Sequence, residues 1–254
     1  MKAVILCGGK GLRMRGDAGF TCKPMVRIGE IPVLQHVMNI YRKHGIHEFI
    51  LCLGYNGEII KDYFVNLDWR THNLRLYLDK DSKRITLLDA TAEWDIIFAD
   101  TGLNTMTGGR IKKIQKFVDD AEFMLTYADG VSDIDLARLL KFHGEKGKIA
   151  TVTGVHPRSG YGLMKVENGI AAEFQEKPLL EGWVNGGFFV LNRRVFDYID
   201  DSDQCVWEEE PIRRLIADKE LAVYEHEGFW FALDTVKDAE AINRMWEKGE
   251  KPWT

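Results

Sequence analysis

The stretch KAVILCGGKGLR, residues 2–13, joins a short apolar run to a cluster of glycines. An apolar, β-branched run of this length that stops at Gly8 predicts a buried strand followed by a tight turn. Because glycine has no Cβ, the backbone N–H groups of such a turn can approach an anion closely, which is typical of phosphate-binding loops. Arg13 can donate two hydrogen bonds to phosphate oxygens, and Lys23 adds a further positive charge. The stretch therefore indicates a phosphate site at the end of the first strand.

A plainer interpretation fits the same residues. A strand, a flexible turn and a solvated basic patch would have this composition too. The pattern also lacks the third glycine of the dinucleotide fingerprint and the G-K-[ST] ending of a P-loop. The glycines alone do not exclude this simpler structure, so phosphate binding is a hypothesis that the rest of the chain must support.

Composition limits the classes of protein that fit. The chain has 254 residues, of which 45% are hydrophobic and 29% charged, and its net charge is −5. A nucleic-acid-binding protein would show a surplus of positive charge, and no apolar stretch approaches the ~18 residues that cross a bilayer. The four cysteines show no C-x-x-C spacing, as expected of thiols in a reducing compartment. We therefore expect a cytoplasmic protein that binds neither nucleic acid nor a membrane.

Alternating apolar runs and helical patterns indicate the fold class. Residues 32–44 carry apolar side chains at helical spacing, and residues 48–53 form the next apolar run. This order of strand, turn, helix and strand is typical of an α/β protein with a Rossmann-like, doubly wound and mostly parallel sheet. Residues 183–191 are predicted to form one later strand that opens with glycines.

A strand-rich insertion is expected at about residues 66–99, within a single domain that spans residues 1–254. The segment mixes two alternating apolar runs with charged, acid-rich joints. Two interpretations remain open. The insertion is either a solvated surface loop or a contact between subunits, because alternating strands must bury one face somewhere.

Residues 122–130, EFMLTYADG, end another predicted strand on an acid and a glycine. In an open parallel sheet, ligands bind beyond the carboxyl ends of the strands, so Asp129 is expected beside the glycine turn. A carboxylate next to a phosphate site is a suitable Mg²⁺ ligand. Taken alone, Asp129 would more simply cap a turn, but the neighbouring glycine turn favours the metal. A second aspartate, Asp234, follows a later apolar run.

Motifs spread along the whole chain resemble those of the sugar-1-phosphate nucleotidylyltransferases. The family signature, L-A-G-G-x-G-T-R-L followed by K-P-K-P-M, is similar to LCGGKGLRM at residues 6–14 and KPM at residues 23–25. Leu12 and Thr21 differ, since the family has threonine and lysine there. Two later motifs resemble those of the family, EKP at residues 176–178 and NGGF at residues 185–188. Three others are similar to the cytidylyltransferase branch: TMTGGR at residues 105–110, TYADGV at residues 126–131 and GFW at residues 228–230.

The resemblance implies a nucleotidyltransferase fold, a homo-oligomer (trimer or hexamer) and an enzyme of polysaccharide or deoxysugar biosynthesis. Its activity would be Mg²⁺-dependent transfer of a cytidylyl group from CTP to an α-D-sugar 1-phosphate, with glucose 1-phosphate as the first expected acceptor. CDP-sugar and pyrophosphate would be the products. Two alternatives stay open: the same chemistry with another nucleotide or a non-glucose phosphate, and a non-catalytic homologue that only binds sugar nucleotides.

The resemblance also implies roles for particular residues. The catalytic residues would be Arg13, Lys23, Asp129 and Lys177. Asp129 and Asp234 would hold Mg²⁺. The sugar phosphate would contact Glu176, Lys177, Asn185 and Gly186. The nucleotide would contact a larger set: Leu6, Cys7, Gly8, Gly9, Lys10, Gly11, Leu12, Arg13, Lys23, Thr105, Arg110 and Ala128.

Overall fold

The computed structural model describes residues 1–9, 22–80, 82–89 and 93–254, and the centre of this part of the chain is a sheet of eight strands. In chain order the strands are β1 (Lys2–Leu6), β2 (Arg27–Ile28), β3 (Ile31–Pro32), β4 (Glu48–Leu53), β5 (Leu74–Leu78), β6 (Lys83–Leu87), β7 (Asp95–Asp100), β8 (Glu122–Tyr127), β9 (Gly130–Ser132), β10 (Ala150–Val155), β11 (Leu163–Glu167), β12 (Ile170–Gln175), β13 (Val184–Asn185), β14 (Phe189–Asn192), β15 (Leu221–His226) and β16 (Trp230–Ala232). The α-helices are α1 (Val33–Lys43), α2 (Gly57–Val65), α3 (Leu67–Thr71), α4 (Thr107–Lys113), α5 (Leu136–Lys146), α6 (Glu210–Ala217) and α7 (Val236–Glu247).

The central sheet has a parallel part and a mixed part. Strands β8, β1, β4 and β7 are neighbours in that order, and each adjacent pair runs parallel. Strand β14 pairs antiparallel with β8, and β10 follows it, flanked by β13, β14 and β15. From β1 the chain moves outward through β4 to β7, and later places β8 on the other side of β1. A topological switch point therefore lies between β1 and β8.

The central strands are buried on both faces. In β1, Ala3 and Ile5 belong to one core cluster while Val4 and Leu6 belong to another, because successive side chains of a strand point to opposite faces. The first cluster includes side chains of α1, α5 and α7, and the second includes those of α4 and α6. Helices on both faces of a sheet with a parallel centre confirm the predicted Rossmann-like α/β fold.

One predicted strand is divided in two. Residues 183–191 form β13 and the start of β14 with a break between them, in place of a single strand. Gly187 has a φ of +78° and Phe188 a φ of +46°, so the chain leaves the extended conformation at these two residues. The glycines therefore interrupt the strand, whereas the sequence pattern predicts that they open it.

Two hairpins stand apart from the central sheet. Strand β5 pairs with β6 inside the predicted insertion, and β11 pairs with β12 around Asn168 and Gly169. Nearly every residue of both hairpins is exposed; Leu78 is 66% exposed and Phe174 63%. Neither hairpin buries a full face within the described part of the chain. The range predicted for the insertion also contains most of a core strand, because β7 begins at Asp95.

The helices are short. Among the helices given above, the longest, α7, has 12 residues. Within the four described ranges, no helix combines the length and the apolar character needed to cross a membrane.

Candidate active site

The switch point brings together the ends of β1 and β8. Cys7 and Gly8 continue the chain beyond β1, and the Cys7 N–H donates to the Cys52 carbonyl at 3.0 Å. Ala128 and Asp129 continue the chain beyond β8. Since β1 and β8 are parallel neighbours, both segments leave the sheet at one edge, where open α/β sheets bind their ligands. This edge is the candidate active site.

The expected phosphate turn is described only in part. Gly8 is held from two sides, because its carbonyl accepts hydrogen bonds from the Tyr55 N–H at 3.3 Å and from Arg110 Nη2 at 3.0 Å. A Cβ at Gly8 would overlap the Arg110 guanidinium, so this close approach requires glycine. The remaining predicted residues of the turn lie outside the described residues: Lys10, Gly11, Leu12, Arg13 and Thr21.

Three of the predicted nucleotide-binding residues are buried. Leu6 is 8% exposed, Cys7 1% and Ala128 3%, whereas Gly9 is exposed. A nucleotide at this edge would therefore meet the first three mainly through their backbone atoms. Burial raises the pKa of the Cys7 thiol well above its usual value, so this sulfur stays protonated and is not a nucleophile.

A lysine lies between two aspartates at the same edge. Lys23 Nζ is 2.5 Å from Asp129 Oδ2 and 2.8 Å from Asp234 Oδ1. The Lys23 side chain is 16% exposed, that of Asp129 is 29% exposed and that of Asp234 is 50% exposed. Because Asp234 lies 211 residues from Lys23 along the chain, only the fold brings them together. One cluster thus contains the predicted catalytic lysine and both predicted metal ligands.

A short strand pair sets the separation of the two aspartates. Strand β9 follows Asp129, β16 precedes Asp234, and the two strands pair antiparallel. The Leu233 N–H extends this pairing by donating to the Asp129 carbonyl at 2.9 Å. The Asp234 N–H donates to Asp238 Oδ2 at 3.1 Å, and Asp238 also forms the capping box that begins α7 with Thr235.

The charges of this cluster determine the protonation of its lysine. Burial lowers the pKa of Lys23, but the charges of Asp129 and Asp234 and their hydrogen bonds raise it more. The pKa of Lys23 therefore lies above its usual value, and the ammonium remains charged at neutral pH.

The two aspartates also fit a magnesium ion. Mg²⁺ is usually bound through one or two carboxylates together with substrate phosphates and water. A single nitrogen atom, Lys23 Nζ, already touches one oxygen of Asp129 and one of Asp234, so both carboxylates can share one cation. Over the described ranges, no group of three or more His, Cys, Asp or Glu side chains suits a metal ion. A metal held by Asp129 and Asp234 would therefore need further ligands from the substrate and water.

Arg110 lies beneath the site and not on its surface. It is 4% exposed, and its Nη1 donates to the carbonyls of Leu53 at 3.0 Å and Gly102 at 2.8 Å and to the Thr101 hydroxyl at 2.7 Å. With the bond to Gly8, the guanidinium joins the chain ends of β1, β4 and β7. The guanidinium is thus occupied by acceptors of the protein itself, and the contact between Arg110 and the nucleotide stays a prediction.

Thr105 is also turned inward. It is 5% exposed, and its Oγ1 accepts a hydrogen bond from Lys113 Nζ at 3.1 Å. The same ammonium donates to the Thr101 carbonyl at 3.0 Å. The Thr105 side chain thus stabilises the segment before α4, and a nucleotide contact at Thr105 is left to its main chain.

Asn185 and Gly186 are joined to the strands that carry the aspartates. Asn185 Nδ2 donates to the hydroxyl of Tyr127, the last residue of β8, at 3.0 Å. Trp230 Nε1 donates to the Gly186 carbonyl at 2.8 Å, and Trp230 is the first residue of β16. The structure therefore brings these two predicted sugar-binding residues to the same edge as the Lys23 cluster.

Glu176 and Lys177 follow β12 and are exposed. Lys177 has a φ of +47° directly before Pro178, although a residue that precedes proline prefers the extended region. Strained backbone of this kind is frequent at ligand sites. In the described part of the chain, the hydrogen bonds that draw Asn185 and Gly186 to the site do not extend to these two residues.

Three further residues line the site without a predicted role: Tyr127, Trp230 and Glu208. The Glu208 carboxylate accepts hydrogen bonds of 2.6 Å from the Tyr127 hydroxyl and from the Thr107 hydroxyl. Tyr127 and Trp230 lie inside the quoted motifs TYADGV and GFW, so these motifs could have indicated both residues. Glu208 lies in the run WEEEP at residues 207–211, which belongs to none of the quoted motifs, so no local signal marks it.

Comparison with solved structures identifies the fold. The chain has a TM-score of 0.70 with the crystal structure of a putative glucose-1-phosphate thymidylyltransferase from Bacillus anthracis, at 14% identity. The match covers 96% of this chain and 94% of the other. The fold is therefore that of the Rossmann-like nucleotidyltransferases.

Sequence comparison is more specific. The family model for nucleotidyl transferase matches residues 2–248. A probable glucose-1-phosphate cytidylyltransferase of Bacillus subtilis (strain 168) is 46% identical, with 100% of this chain and 99% of the relative covered. The glucose-1-phosphate cytidylyltransferase of Salmonella typhi is 42% identical over 100% and 98%. The chain belongs to the nucleotidyl transferase family, in the branch of the glucose-1-phosphate cytidylyltransferases.

Proposed function

We propose that this chain transfers the cytidylyl group of CTP to glucose 1-phosphate and releases CDP-glucose and pyrophosphate. The observation that carries the proposal is the cluster of Lys23, Asp129 and Asp234 at the switch point of the sheet. The full-length relatives of Bacillus subtilis and Salmonella typhi support the choice of nucleotide and sugar.

The reaction needs charge neutralisation more than proton transfer. The phosphate of glucose 1-phosphate attacks the α-phosphorus of CTP in line, and pyrophosphate leaves. A sugar phosphate has a second pKa of about 6, so the attacking oxygen is already ionised at neutral pH and requires no general base. Two anions must approach each other while the leaving group gains charge, so positioning and electrostatic stabilisation supply the catalysis.

The cationic residues have separate roles in this proposal. Arg13 and Lys23 hold the β- and γ-phosphates of CTP, and the backbone of the glycine turn surrounds the nucleotide. Lys177 holds the phosphate of glucose 1-phosphate, and Glu176 contacts the same substrate. Asn185 and Gly186 contact the sugar ring. The strained backbone of Lys177 supports its assignment.

Asp129 and Asp234 are proposed to hold Mg²⁺. When bound, the ion would neutralise charge on the phosphoryl oxygens. Their shared contact with Lys23 Nζ supports this assignment, because it shows that both carboxylates can face one cation.

The proposal includes a homo-oligomer, trimer or hexamer, that works in the cytoplasm. The exposed hairpins β5–β6 and β11–β12 offer surfaces that another copy of the chain could cover. The cysteines of the chain are free thiols, which suits a reducing compartment.

A pyrophosphate-release assay tests the reaction. CTP, UTP, dTTP and GTP are each combined with glucose 1-phosphate, galactose 1-phosphate and mannose 1-phosphate. We expect the highest kcat/KM for CTP with glucose 1-phosphate. If another pair has a higher kcat/KM, that pair and not CTP with glucose 1-phosphate is the preferred one. Binding of CDP-glucose without pyrophosphate release from any pair would favour the non-catalytic alternative.

A further inference from the structure

A chain of hydrogen bonds crosses the candidate site above the ends of the strands. It starts at Thr107, the first residue of α4, whose hydroxyl donates to Glu208 Oε2 at 2.6 Å. The other oxygen of the same carboxylate, Oε1, accepts from the Tyr127 hydroxyl at 2.6 Å. Tyr127 in turn accepts from Asn185 Nδ2 at 3.0 Å. One carboxylate thus connects the helix that carries Arg110 with the amide expected to meet the sugar.

The directions of these bonds are determined by their chemistry. Glu208 is an acceptor when ionised, so both hydroxyls must donate to it. Tyr127 then has only lone pairs left, and they face the amide nitrogen of Asn185. Asn185 Oδ1 accepts the Gly187 N–H at 2.9 Å, so both ends of the amide are held. Its second N–H and the remaining lone pair of its oxygen are left for a ligand, and Asn185 is exposed.

A carboxylate at this place is unfavourable for substrate binding, because the proposed substrates are both anions. Glu208 is exposed and would repel them. The Tyr127 phenol donates its hydrogen bond to the Glu208 carboxylate, so the direction of this bond is determined. The benefit that can offset the repulsion is orientation: Glu208 selects one orientation of the Tyr127 hydroxyl, and this selects one orientation of the Asn185 amide.

We propose that Glu208 is a positioning residue for the sugar 1-phosphate, which acts through Tyr127 to orient Asn185 and through Thr107 to tie that amide to α4. The inference rests on the proposed function, since it takes Asn185 as a sugar contact. Glu208 itself touches neither substrate in this arrangement. Its contribution is therefore expected in the KM for the sugar phosphate and not in the KM for CTP.

Kinetics of Glu208→Gln and Tyr127→Phe test the proposal. Glutamine offers one acceptor and one donor end, so it cannot accept from both hydroxyls, and phenylalanine removes the link altogether. We expect the KM for glucose 1-phosphate to rise about tenfold in each variant, as for the loss of one hydrogen bond to a charged group. The KM for CTP should stay within about twofold, because the path from Glu208 does not reach the triphosphate. Glu209→Gln, the next carboxylate along the chain, is the matched control and should behave as wild type.

The double variant shows whether Glu208 acts through Tyr127 or whether the two residues contribute independently to binding of the sugar phosphate. If Glu208 acts through Tyr127, Tyr127→Phe with Glu208→Gln should raise the KM for glucose 1-phosphate no more than Tyr127→Phe alone. Additive effects of the two changes would overturn the proposal, and so would KM values equal to those of Glu209→Gln. If Glu208→Gln does not fold, Tyr127→Phe and Thr107→Val, which each break one bond to the carboxylate, give the same comparison. Wild type that releases no pyrophosphate from CTP and glucose 1-phosphate would instead overturn the proposed function.

Discussion

Lys23 occupies the point at which two carboxylates converge. Without a cation between them, Asp129 and Asp234 would repel each other across a partly buried site. The ammonium of Lys23 provides that positive charge in the free protein. A divalent ion at the same carboxylates would have to compete with it, and a displaced Lys23 would be free to meet the triphosphate.

This competition leads to a prediction for Lys23→Gln. Because the variant loses the competing charge, the nucleotide-free protein should bind Mn²⁺ about three- to tenfold more tightly, as for a change of roughly 1 kcal/mol at a partly exposed pair. Titration calorimetry or electron paramagnetic resonance measures the affinity. CTP binding and turnover should fall in the same variant. Lys61→Gln, on the exposed side of α2, is the control. Unchanged or weaker Mn²⁺ binding by Lys23→Gln would contradict the competition.

The two aspartates are expected to matter more for turnover than for stability. Asp129→Asn and Asp234→Asn should each lower kcat by at least about a hundredfold, since a metal clamp on the transferring phosphoryl group would be lost. Asparagine keeps the shape of each side chain, so the melting temperature should change little. Asp95→Asn is the control, because Asp95 begins β7 and lies at the edge of the sheet opposite the candidate active site. Near-normal rates for both variants at saturating Mg²⁺ would show that Asp129 and Asp234 are not metal ligands.

At the scale of elements, Arg110 adds side-chain hydrogen bonds to the backbone bonds that join three neighbouring strand ends. Its guanidinium bonds the carbonyls of Gly8, Leu53 and Gly102, which follow or end β1, β4 and β7. Burial lowers the pKa of Arg110, but guanidinium remains charged throughout the working range of proteins. One buried cation thus contributes to the shape of the candidate active site.

Arg110→Met should therefore destabilise the fold. Methionine fills much of the volume but leaves the carbonyls without their donors, at a cost of about 2–4 kcal/mol in the free energy of unfolding. Urea denaturation followed by circular dichroism measures the loss. Arg42→Met, on the exposed side of α1, should stay within about 0.5 kcal/mol of wild type. An unchanged unfolding midpoint for Arg110→Met would mean that the strand ends hold without it.

The contact between α1 and the end of the chain predicts a dependence of stability on pH. His36 is 3% exposed; its Nε2 lies 2.9 Å from the Ile28 carbonyl, and its Nδ1 lies 3.2 Å from Trp253 Nε1, the donor. The ring must therefore be neutral, with its proton on Nε2. Burial lowers the pKa of His36 below its usual 6.5. The unfolded chain then binds a proton at a higher pH than the folded one, so the free energy of unfolding falls as the pH drops below about 6.5.

His36→Gln isolates this contribution. An amide can donate to the Ile28 carbonyl and accept from Trp253, but it does not titrate. We expect the urea midpoint of the variant to change less than that of wild type between pH 7.5 and about 5.5, where neutral histidine becomes protonated. Trp253→Phe keeps the titrating ring and should retain most of the wild-type slope. Equal slopes in wild type and His36→Gln would assign the acid sensitivity to other groups.

At the scale of the whole molecule, the two hairpins each expose pairs of large apolar side chains. Leu76 and Ile85 are cross-strand partners in β5–β6, each 48% exposed, and Met164 and Phe174 are partners in β11–β12, 62% and 63% exposed. We expect light scattering to give a wild-type mass of three or six chains. Replacing either pair with lysines should give smaller species, because buried charge without a partner is costly. Leu103→Lys, at an exposed apolar residue outside the hairpins, is the control. A single-chain mass for wild type would contradict the oligomer.

Much of the fold followed from local pattern. The order of strands and helices, the end of β1 before Gly8 and the aspartate after β8 could be predicted, because apolar periodicity and glycine act over a few residues. The break at Gly187 and Phe188 could not, since their left-handed backbone depends on the neighbouring strands. The same holds for the exposure of β5 and β6, whose alternating pattern would equally suit a buried face.

The relation between the charged residues came only from tertiary structure. The motifs indicated Lys23, Asp129 and Asp234 as separate residues, but nothing in them placed one ammonium between two carboxylates 106 and 211 residues away. Arg110 shows the opposite case, since its motif indicated a ligand contact while packing turned its guanidinium inward onto carbonyls. Residue types and their order along the chain are local information. Which charge meets which partner depends on where parallel strands end in space, and that is set by the packing of the whole sheet.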